Sequence, residues 1–354
     1  MQGYKISKGG TITGRDGSVI FFDYDRFSKD IYHSGHCFVC GKSPKNGFNR
    51  EHVFPDWLLR HCGLYDQEIT LPNLVKTRYS TYRIRCCTQC NSRLGVEFEE
   101  PVRDIIAGGF DRVLEYVHAE GPQLLQLWMA LIFLKVHLKD RSMIINKDAR
   151  SDRTTIGEMY DLDALHHVHA LARARLFGIE IDPHVFGTFI LAQASRLHCP
   201  TTFNYADNYL GRSIMIRVKD VVMYNVIDDC GIAQSMLVNQ LDNLPQSMND
   251  IQMLELLVRL TSASMHISSQ PLFRTAIDIA TGKAAIQVER PEPVVQELDR
   301  ELLGSLMEGT MSQFEPELMR EGKVAELQSG LATTLWDADF KPITQPTSSV
   351  PPRW

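Results

Sequence analysis

The stretch Asn49-Arg50-Glu51-His52-Val53-Phe54-Pro55 lies between two cysteine pairs, Cys37-Phe38-Val39-Cys40 and Cys87-Thr88-Gln89-Cys90. A two-residue spacer lets both sulfurs of one tight turn face a single ion, and two such pairs can hold zinc tetrahedrally. The spacing therefore predicts a zinc site that closes a loop around an acidic residue and a histidine. Cys86 is three residues from Cys90, so the two-residue spacing favours Cys87.

The composition is that of an ordinary globular protein. Hydrophobic residues make up 44% and charged residues 23% of the 354 residues, which is enough chain for two domains or for one large domain with an accessory module. The sequence opens on a polar segment without a secretion signal, and its longest apolar run, 124–136, is too short to span a bilayer. We therefore expect a cytoplasmic protein, in which clustered cysteines favour a metal over disulfides.

Charge is spread unevenly along the chain. Residues 1–96 hold 14 lysines and arginines and eight acidic residues, a net charge of +6, whereas the whole chain carries −6. A basic module joined to an acidic body is compatible with phosphate contact on one face. Arg83 and Arg85 would suit such contacts, although arginine on an exposed strand edge is also ordinary.

The order of predicted elements indicates an α+β protein. An Asp16-Gly17 turn between β-prone runs predicts a hairpin within 11–32. Strands are predicted over 48–54 and 79–86 and a helix over 92–106, which gives the order ββα inside the zinc-closed segment. Further on, helices are predicted over 110–119, 123–138, 162–176, 249–282 and 292–328, with alternating strands of a small antiparallel sheet within 186–236.

The residues around the histidine could together hydrolyse a phosphodiester. That reaction needs a base that activates water and a cation that neutralises the phosphate. His52 can be the base near neutral pH, and the oxygens of Glu51 and Asn91 can hold Mg²⁺ or Mn²⁺. Because neighbouring strand residues point to opposite faces, Glu51 and His52 can act together only near a strand end or bulge, which Pro55 allows.

These motifs resemble the HNH, or ββα-metal, endonuclease family in its cysteine-containing form. The family pattern is a C-x2-C knuckle, an Asp/Glu-His dipeptide followed by an apolar residue and a proline, and a second C-x2-C followed by His or Asn. The matching positions are Cys37 and Cys40, Glu51 to Pro55, and Cys87 to Asn91. The resemblance covers residues 35–106, less than a third of the chain.

The resemblance implies a role for each matching residue. His52 would be the general base, and Glu51 and Asn91 would bind the catalytic divalent ion. A structural zinc would be held by Cys37, Cys40, Cys87 and Cys90. The family's middle asparagine, which orients the base, is not identified by the motif: Asn73 is the candidate, but its spacing is longer than usual, and the position nearer the usual spacing holds Tyr82.

The implied protein is a metal-dependent endonuclease acting on double-stranded DNA, with a role in restriction or anti-phage defence. Its predicted domains are an N-terminal hairpin extension (1–34), a zinc-stabilised nuclease domain (35–108), a mainly helical accessory domain with a small sheet (109–341) and a disordered tail (342–354). The C-terminal region would serve a homo-oligomer or a protein partner, and no membrane partner is expected.

Other interpretations remain open at this point. The four cysteines could form a purely structural zinc module that binds nucleic acid or protein without catalysis, and the substrate could be RNA. His33 and His36 are alternative zinc ligands, and Glu97 is an additional metal ligand or a solvated helix carboxylate. The cluster His166-His167-Val168-His169 is best interpreted as the polar face of an amphipathic helix.

Overall fold

The structure is a computed structural model that describes residues 3–44, 47–145, 153–195, 201–278, 281–297, 299–314, 333–337 and 339–343. It has the predicted mixed α+β composition, with several small sheets. The strands are β1 Lys5–Ile6, β2 Ile12–Thr13, β3 Val19–Phe21, β4 Phe48–His52, β5 Glu68–Thr70, β6 Lys76–Arg78, β7 Arg83–Cys87, β8 Glu180–Ile181, β9 Phe189–Gln193, β10 Phe203–Asn208, β11 Ser213–Val218, β12 Val221–Val226, β13 Leu272–Ile277 and β14 Ala284–Glu289.

The helices are distributed along the described chain. They are α1 Tyr24–Phe27, α2 Asp56–His61, α3 Thr88–Leu94, α4 Glu100–Ile106, α5 Gly109–Glu120, α6 Gln123–Asp140, α7 Leu162–Phe177, α8 Ile232–Met236, α9 Val238–Leu241, α10 Asp250–Met265 and α11 Arg300–Phe314. No helix within the described ranges is both long and apolar enough to cross a membrane.

The chain divides into two compact units. The first unit comprises 1–107, 123–185 and 273–288, and the second comprises 108–122, 186–272 and 289–354. The segment with the cysteine pairs and the histidine therefore shares its unit with α6 and α7, which the sequence assigned to the later region. Both units are discontinuous in sequence.

The centre of the first unit is a two-stranded antiparallel sheet followed at once by a helix. β4 pairs with β7, and α3 begins at the residue after β7. β7 is shorter than the predicted strand because Tyr79–Thr81 forms a 3₁₀ turn. The β5–β6 hairpin lies between the two predicted strands and was not predicted from the sequence.

The helix predicted over 92–106 begins earlier and is interrupted. The sulfur of Cys87 accepts a hydrogen bond from the backbone N–H of Cys90 and so caps α3 at its start. A π-helical turn, Gly95–Glu99, separates α3 from α4. Pro101 has no N–H for the carbonyl of Glu97, and the side chain of Arg175 donates to that carbonyl instead, at 2.8 Å.

Two helices bury this module. α6 is buried on nearly all sides from Leu125 to Leu138 and is the core helix that its composition predicts. α7 contributes a fully buried histidine, His169, whose Nε2 donates to the carbonyl oxygen of Phe38 at 3.1 Å. The interpretation of the histidine cluster as a polar face is therefore wrong for His169, which instead anchors the first cysteine knuckle to α7.

The second unit is built on the predicted antiparallel sheet. Its strand order is β10-β11-β12-β9, and every residue of β11 and β12 is buried. α10 packs on this sheet and α11 packs on α10. The helix predicted over 249–282 ends at Met265, and β13, which belongs with β14 and β8, follows it.

Some predictions fall outside the described residues. The helix predicted over 292–328 is described only as α11, and residues 315–328 lie outside the described part of the chain. The same is true of residues 344–354 of the predicted tail.

Burial of His169 predicts a pH dependence of stability. Burial and the nearby Arg173 lower the pKa of His169 well below its usual value, so the unfolded chain takes up the proton first. The free energy of unfolding should therefore fall as pH drops below about 6.5, by at most about 1.4 kcal/mol per pH unit from this group. Urea unfolding at pH 7.5, 6.5 and 5.5 measures it.

His169→Gln keeps a donor for the Phe38 carbonyl and removes the titration, so its stability should depend less steeply on pH. The exposed His184 gives the matched control, because His184→Gln should leave the parent slope unchanged. Equal slopes for the parent and His169→Gln would contradict this account.

Candidate functional site

The four predicted cysteines converge. The sulfurs of Cys37, Cys40, Cys87 and Cys90 all lie within 4.8 Å of one another. Zinc–sulfur bonds of about 2.3 Å in tetrahedral geometry require sulfurs about 3.8 Å apart, and the Cys40 and Cys87 sulfurs are separated by 3.7 Å. Among the described residues, this is the one group of three or more His, Cys, Asp or Glu side chains that could hold a metal ion.

Local structure explains why these sulfurs meet. The first knuckle turns sharply at Gly41, whose φ of +68° favours glycine, and its ends are joined by a bond from the Cys37 N–H to the Lys42 carbonyl. The second pair lies at the start of α3, where Cys87 and Cys90 share the first helical turn. His33 and His36 are not members of the cluster.

Cys86 lies close to the cluster but is not part of it. Its sulfur is 3.9 Å from that of Cys37, yet neighbouring residues of β7 point to opposite faces. Only one of the two adjacent cysteines can therefore join the set, and the structure selects Cys87, as the spacing predicted.

The electrostatics of the thiols fit a bound cation. Hydrogen bonds from Cys40, Cys86 and Cys90 lower the pKa of Cys37, and the interaction with Cys37 raises the pKa values of Cys40 and Cys90. Ionisation of the Cys37 thiol therefore opposes ionisation of the Cys40 and Cys90 thiols. A divalent ion that prefers thiolates, such as zinc, would remove this conflict and would hold the two knuckles together.

Glu51 and His52 lie on opposite faces of β4. Glu51 pairs across the sheet with Ile84, and His52 pairs with Arg83. The alternation of a regular strand thus separates the two side chains. β4 ends at His52, but the strand end does not bring the Glu51 carboxylate round to the histidine's face.

The Glu51 side chain is buried against a lysine of α6. The ammonium of Lys135, which is fully buried, donates to Glu51 Oε1 at 3.0 Å and to the carbonyl oxygen of His52 at 2.9 Å. Its nitrogen lies 4.0 Å from Glu99 Oε1. Lys135 therefore neutralises the predicted metal ligand and at the same time fixes the end of the strand that carries His52.

Glu99 completes this buried charged group. Burial raises the pKa of Glu99 to about 7, the positive charge of Lys135 opposes this rise, and the negative charge of Glu51 adds to it. One ammonium therefore faces two carboxylates, and Glu99 takes up a proton more readily than an exposed glutamate does. Protonation of Glu99 leaves one ammonium, that of Lys135, facing one carboxylate, that of Glu51, so the buried group carries little net charge.

His52 has the chemical properties of a base. Its side chain is half-buried, and its Nε2 has no hydrogen-bond partner among the described residues. Burial and the charge of Arg83 lower the pKa of His52, so the imidazole is neutral at pH 7 and can accept a proton. Its ring contacts that of Tyr65, with centroids 6.1 Å apart.

The two predicted phosphate contacts share the face of His52. Arg83 lies directly across from His52, and Arg85 lies across from Arg50. Side chains of directly opposed residues point to the same face of a sheet. Arg83 donates to the Ser80 carbonyl at 2.6 Å and Arg85 to the Gly35 carbonyl at 3.1 Å, which orients both guanidinium groups.

The other predicted site residues are placed differently. Asn91 is half-buried on α3, and no hydrogen bond of the described residues joins it to Glu51 or His52. Asn73 serves a turn, accepting from the Val75 N–H at 3.3 Å, and the Tyr82 hydroxyl donates to Asp140 at 2.6 Å. Glu97 is paired with Arg175 at 3.3 Å rather than turned toward the histidine.

Lys135 and Glu99 are the residues that the sequence interpretation missed. The one sign in the sequence was Lys135 itself, a lysine near the end of the apolar run 124–136. A charged residue at that position is typical of the end of a core helix. A buried lysine needs a counter-charge, but the partner is 84 positions away, so nothing local identified it.

If the four cysteines hold zinc, substitutions of individual cysteines should differ in how much they lower the zinc content of the protein. The purified protein should contain about one zinc per chain. Cys37→Ser and Cys90→Ser should each lower that content, because each removes one of four thiolates. Cys86→Ser should keep it, since Cys86 lies outside the set. Atomic emission on dialysed protein measures the metal, and zinc loss confined to Cys86→Ser would contradict the assignment.

Lys135 predicts a coupled effect on stability. Lys135→Met leaves two buried carboxylates without their cation and should lower the free energy of unfolding by about 3 kcal/mol. Combined with Glu51→Gln, the loss should be smaller than the sum of the single losses. Lys139→Met, four residues along the same helix, is the control and should cost less than about 1 kcal/mol. Strict additivity in urea unfolding would argue against the buried pair.

No protein-family model, no curated protein and no solved structure matches this chain. The likeness to the HNH family therefore rests on the motif residues quoted above. The structure adds two facts: the four cysteines of the motif converge, and the side chains of Glu51 and His52 lie on opposite faces of β4.

Proposed function

We propose that this protein is an endonuclease of the HNH type that hydrolyses DNA phosphodiester bonds, with His52 as the general base. The observation that carries the proposal is the state of His52: its buried Nε2 has no hydrogen-bond partner among the described residues, its pKa is lowered, and it lies directly opposite Arg83 on a cationic sheet face. A neutral imidazole beside a phosphate-binding cation is what activation of water for attack on a phosphodiester requires.

Each residue of this face has a defined part in the proposed reaction. His52 Nε2 accepts a proton from the attacking water. Arg83, and Arg85 beyond it, hold the phosphate and offset the charge that builds on its oxygens. Lys135 binds the His52 carbonyl and keeps the strand end in place, so it supports the base without touching the substrate.

The catalytic Mg²⁺ or Mn²⁺ implied by the resemblance is less well supported. Its expected ligands are Glu51 and Asn91, but Lys135 already binds the Glu51 carboxylate. The side chains as arranged do not fit an ion bound at Glu51, and no step of the proposed reaction is assigned to it. Zinc has a different place in the proposal: held by the four cysteines, it would stabilise the module.

A second candidate function is a zinc-stabilised module that binds nucleic acid or protein without cutting. The Lys135–Glu51 pair favours it, because a neutralised carboxylate is a poor ligand for a divalent ion. The two functions share the cationic face and differ only in whether His52 acts on water.

A role in restriction or anti-phage defence and an oligomer or protein partner bound through the C-terminal region belong to the proposal and rest on the resemblance alone. The cytoplasmic location also belongs to the proposal and stays an expectation from the sequence.

The proposed reaction is tested with His52→Ala. Purified protein is incubated with supercoiled plasmid, and in parallel with RNA, with no added divalent ion and with Mg²⁺ or Mn²⁺. Removing a general base should slow cleavage by about 10²-fold or more, while zinc content and the unfolding transition stay unchanged. His184→Ala, at an exposed histidine of the same unit, should cleave like the parent.

Each outcome separates the two candidates. Cleavage by the parent that is lost in His52→Ala supports the endonuclease. Undiminished cleavage by His52→Ala overturns the role of His52, and plasmid binding by the parent without nicking under every metal condition supports the binding module.

A further inference from the structure

A cleft of about 280 Å³ opens beside the β4–β7 sheet. It is lined by four cations and two uncharged residues, namely Arg50, Arg83, Arg85, Lys139, Thr81 and Ile84. Two of the cations, Arg50 and Lys139, were not singled out by the sequence motifs. Arg50 comes from β4, and Lys139 from the last turn of α6, so three separate elements supply positive charge to one concave surface.

Among the described residues, none of these four cations is paired with a carboxylate within 4 Å. Arg50 and Arg85 are exposed, and Arg83 and Lys139 are half-buried. Converging like charges repel one another, and an anion in the cleft would relieve that repulsion.

The lining indicates which part of a nucleic acid fits. None of the residues lining the cleft is aromatic, whereas proteins that bind single strands stack bases on aromatic side chains. Arginine and lysine side chains that contact only phosphate oxygens fix position and carry no sequence information. The cleft is thus suited to the sugar–phosphate backbone of a duplex and not to unstacked bases.

We propose that this cleft binds successive phosphates of a DNA duplex, with Arg50 and Lys139 extending the contact made by Arg83 and Arg85. The inference rests on the proposed nucleic-acid function and deepens it, because it names the backbone of duplex DNA as the ligand and predicts binding without sequence preference.

Salt dependence of binding tests the inference independently of cleavage. The full chain carrying His52→Ala binds a fluorescent duplex in buffer without added divalent ions between 50 and 200 mM salt. The logarithm of the association constant falls with the logarithm of salt concentration, with a slope of about −0.9 per neutralised phosphate. Arg50→Gln and Lys139→Gln should each reduce the steepness by about 0.9, and the double variant by about 1.8.

The control removes an equal charge elsewhere. Arg112 is an exposed residue of α5 and is paired with Glu115 at 3.6 Å. The Arg112→Gln variant should bind DNA with the same salt slope as the parent. Unfolding transitions and zinc content of every variant establish that the fold is retained. A second duplex of unrelated sequence should give the same slopes.

The outcomes distinguish this inference from the proposed function. Loss of slope in the cleft variants supports the inference even if the parent never cuts the plasmid. Unchanged slopes in both Arg50→Gln and Lys139→Gln overturn it even if cleavage depends on His52. Tighter binding of single-stranded DNA or RNA of equal length would overturn the assignment to a duplex.

Discussion

The convergence of four sulfurs is the constraint on which the rest of the site depends. It brings residues 37–40 against residues 87–90 and closes a loop of about fifty residues, whose closure would otherwise cost chain entropy. The same contact holds the first knuckle against the end of β7, where α3 begins. Phe48 pairs with Cys87, so the cysteine cluster lies at one end of the two-stranded sheet whose register fixes the faces of Glu51 and His52.

The core helix of the first unit, α6, carries a fully buried lysine, Lys135. Lys135 stands in the apolar run of α6, and its ammonium donates to Glu51 Oε1 and to the His52 carbonyl and lies 4.0 Å from Glu99 Oε1. A buried ion pair is weak evidence for stability, because desolvation offsets much of the attraction. Its clearer consequence is that it fixes the end of β4, because Lys135 is hydrogen-bonded to both Glu51 and His52.

Sequence predicted the parts of the site that depend on local spacing. The two knuckles, the choice of Cys87 over Cys86 and the core helix through Leu131 all follow from spacing or periodicity. Local pattern could not reveal that Lys135 would meet Glu51, because that contact joins distant segments. The prediction for His169 was wrong for the same reason. Its spacing is typical of a polar helix face, but the side chain is buried because it hydrogen-bonds the Phe38 carbonyl, which lies far away in the sequence. The β13 strand was missed because its alternation follows directly on a true helix.

The separation of Glu51 from His52 has an electrostatic effect that links the catalytic and binding proposals. Had Glu51 shared the face of His52, its carboxylate would have offset one of the nearby arginines. Strand alternation instead turns it inward, where Lys135 neutralises it. On the opposite face, no carboxylate of the described residues pairs with Arg50, Arg83 or Arg85, and under the proposed function their potential would favour a phosphate at the base. The pairing that weakens the case for a divalent ion at Glu51 is therefore also what leaves the histidine's face attractive to a polyanion.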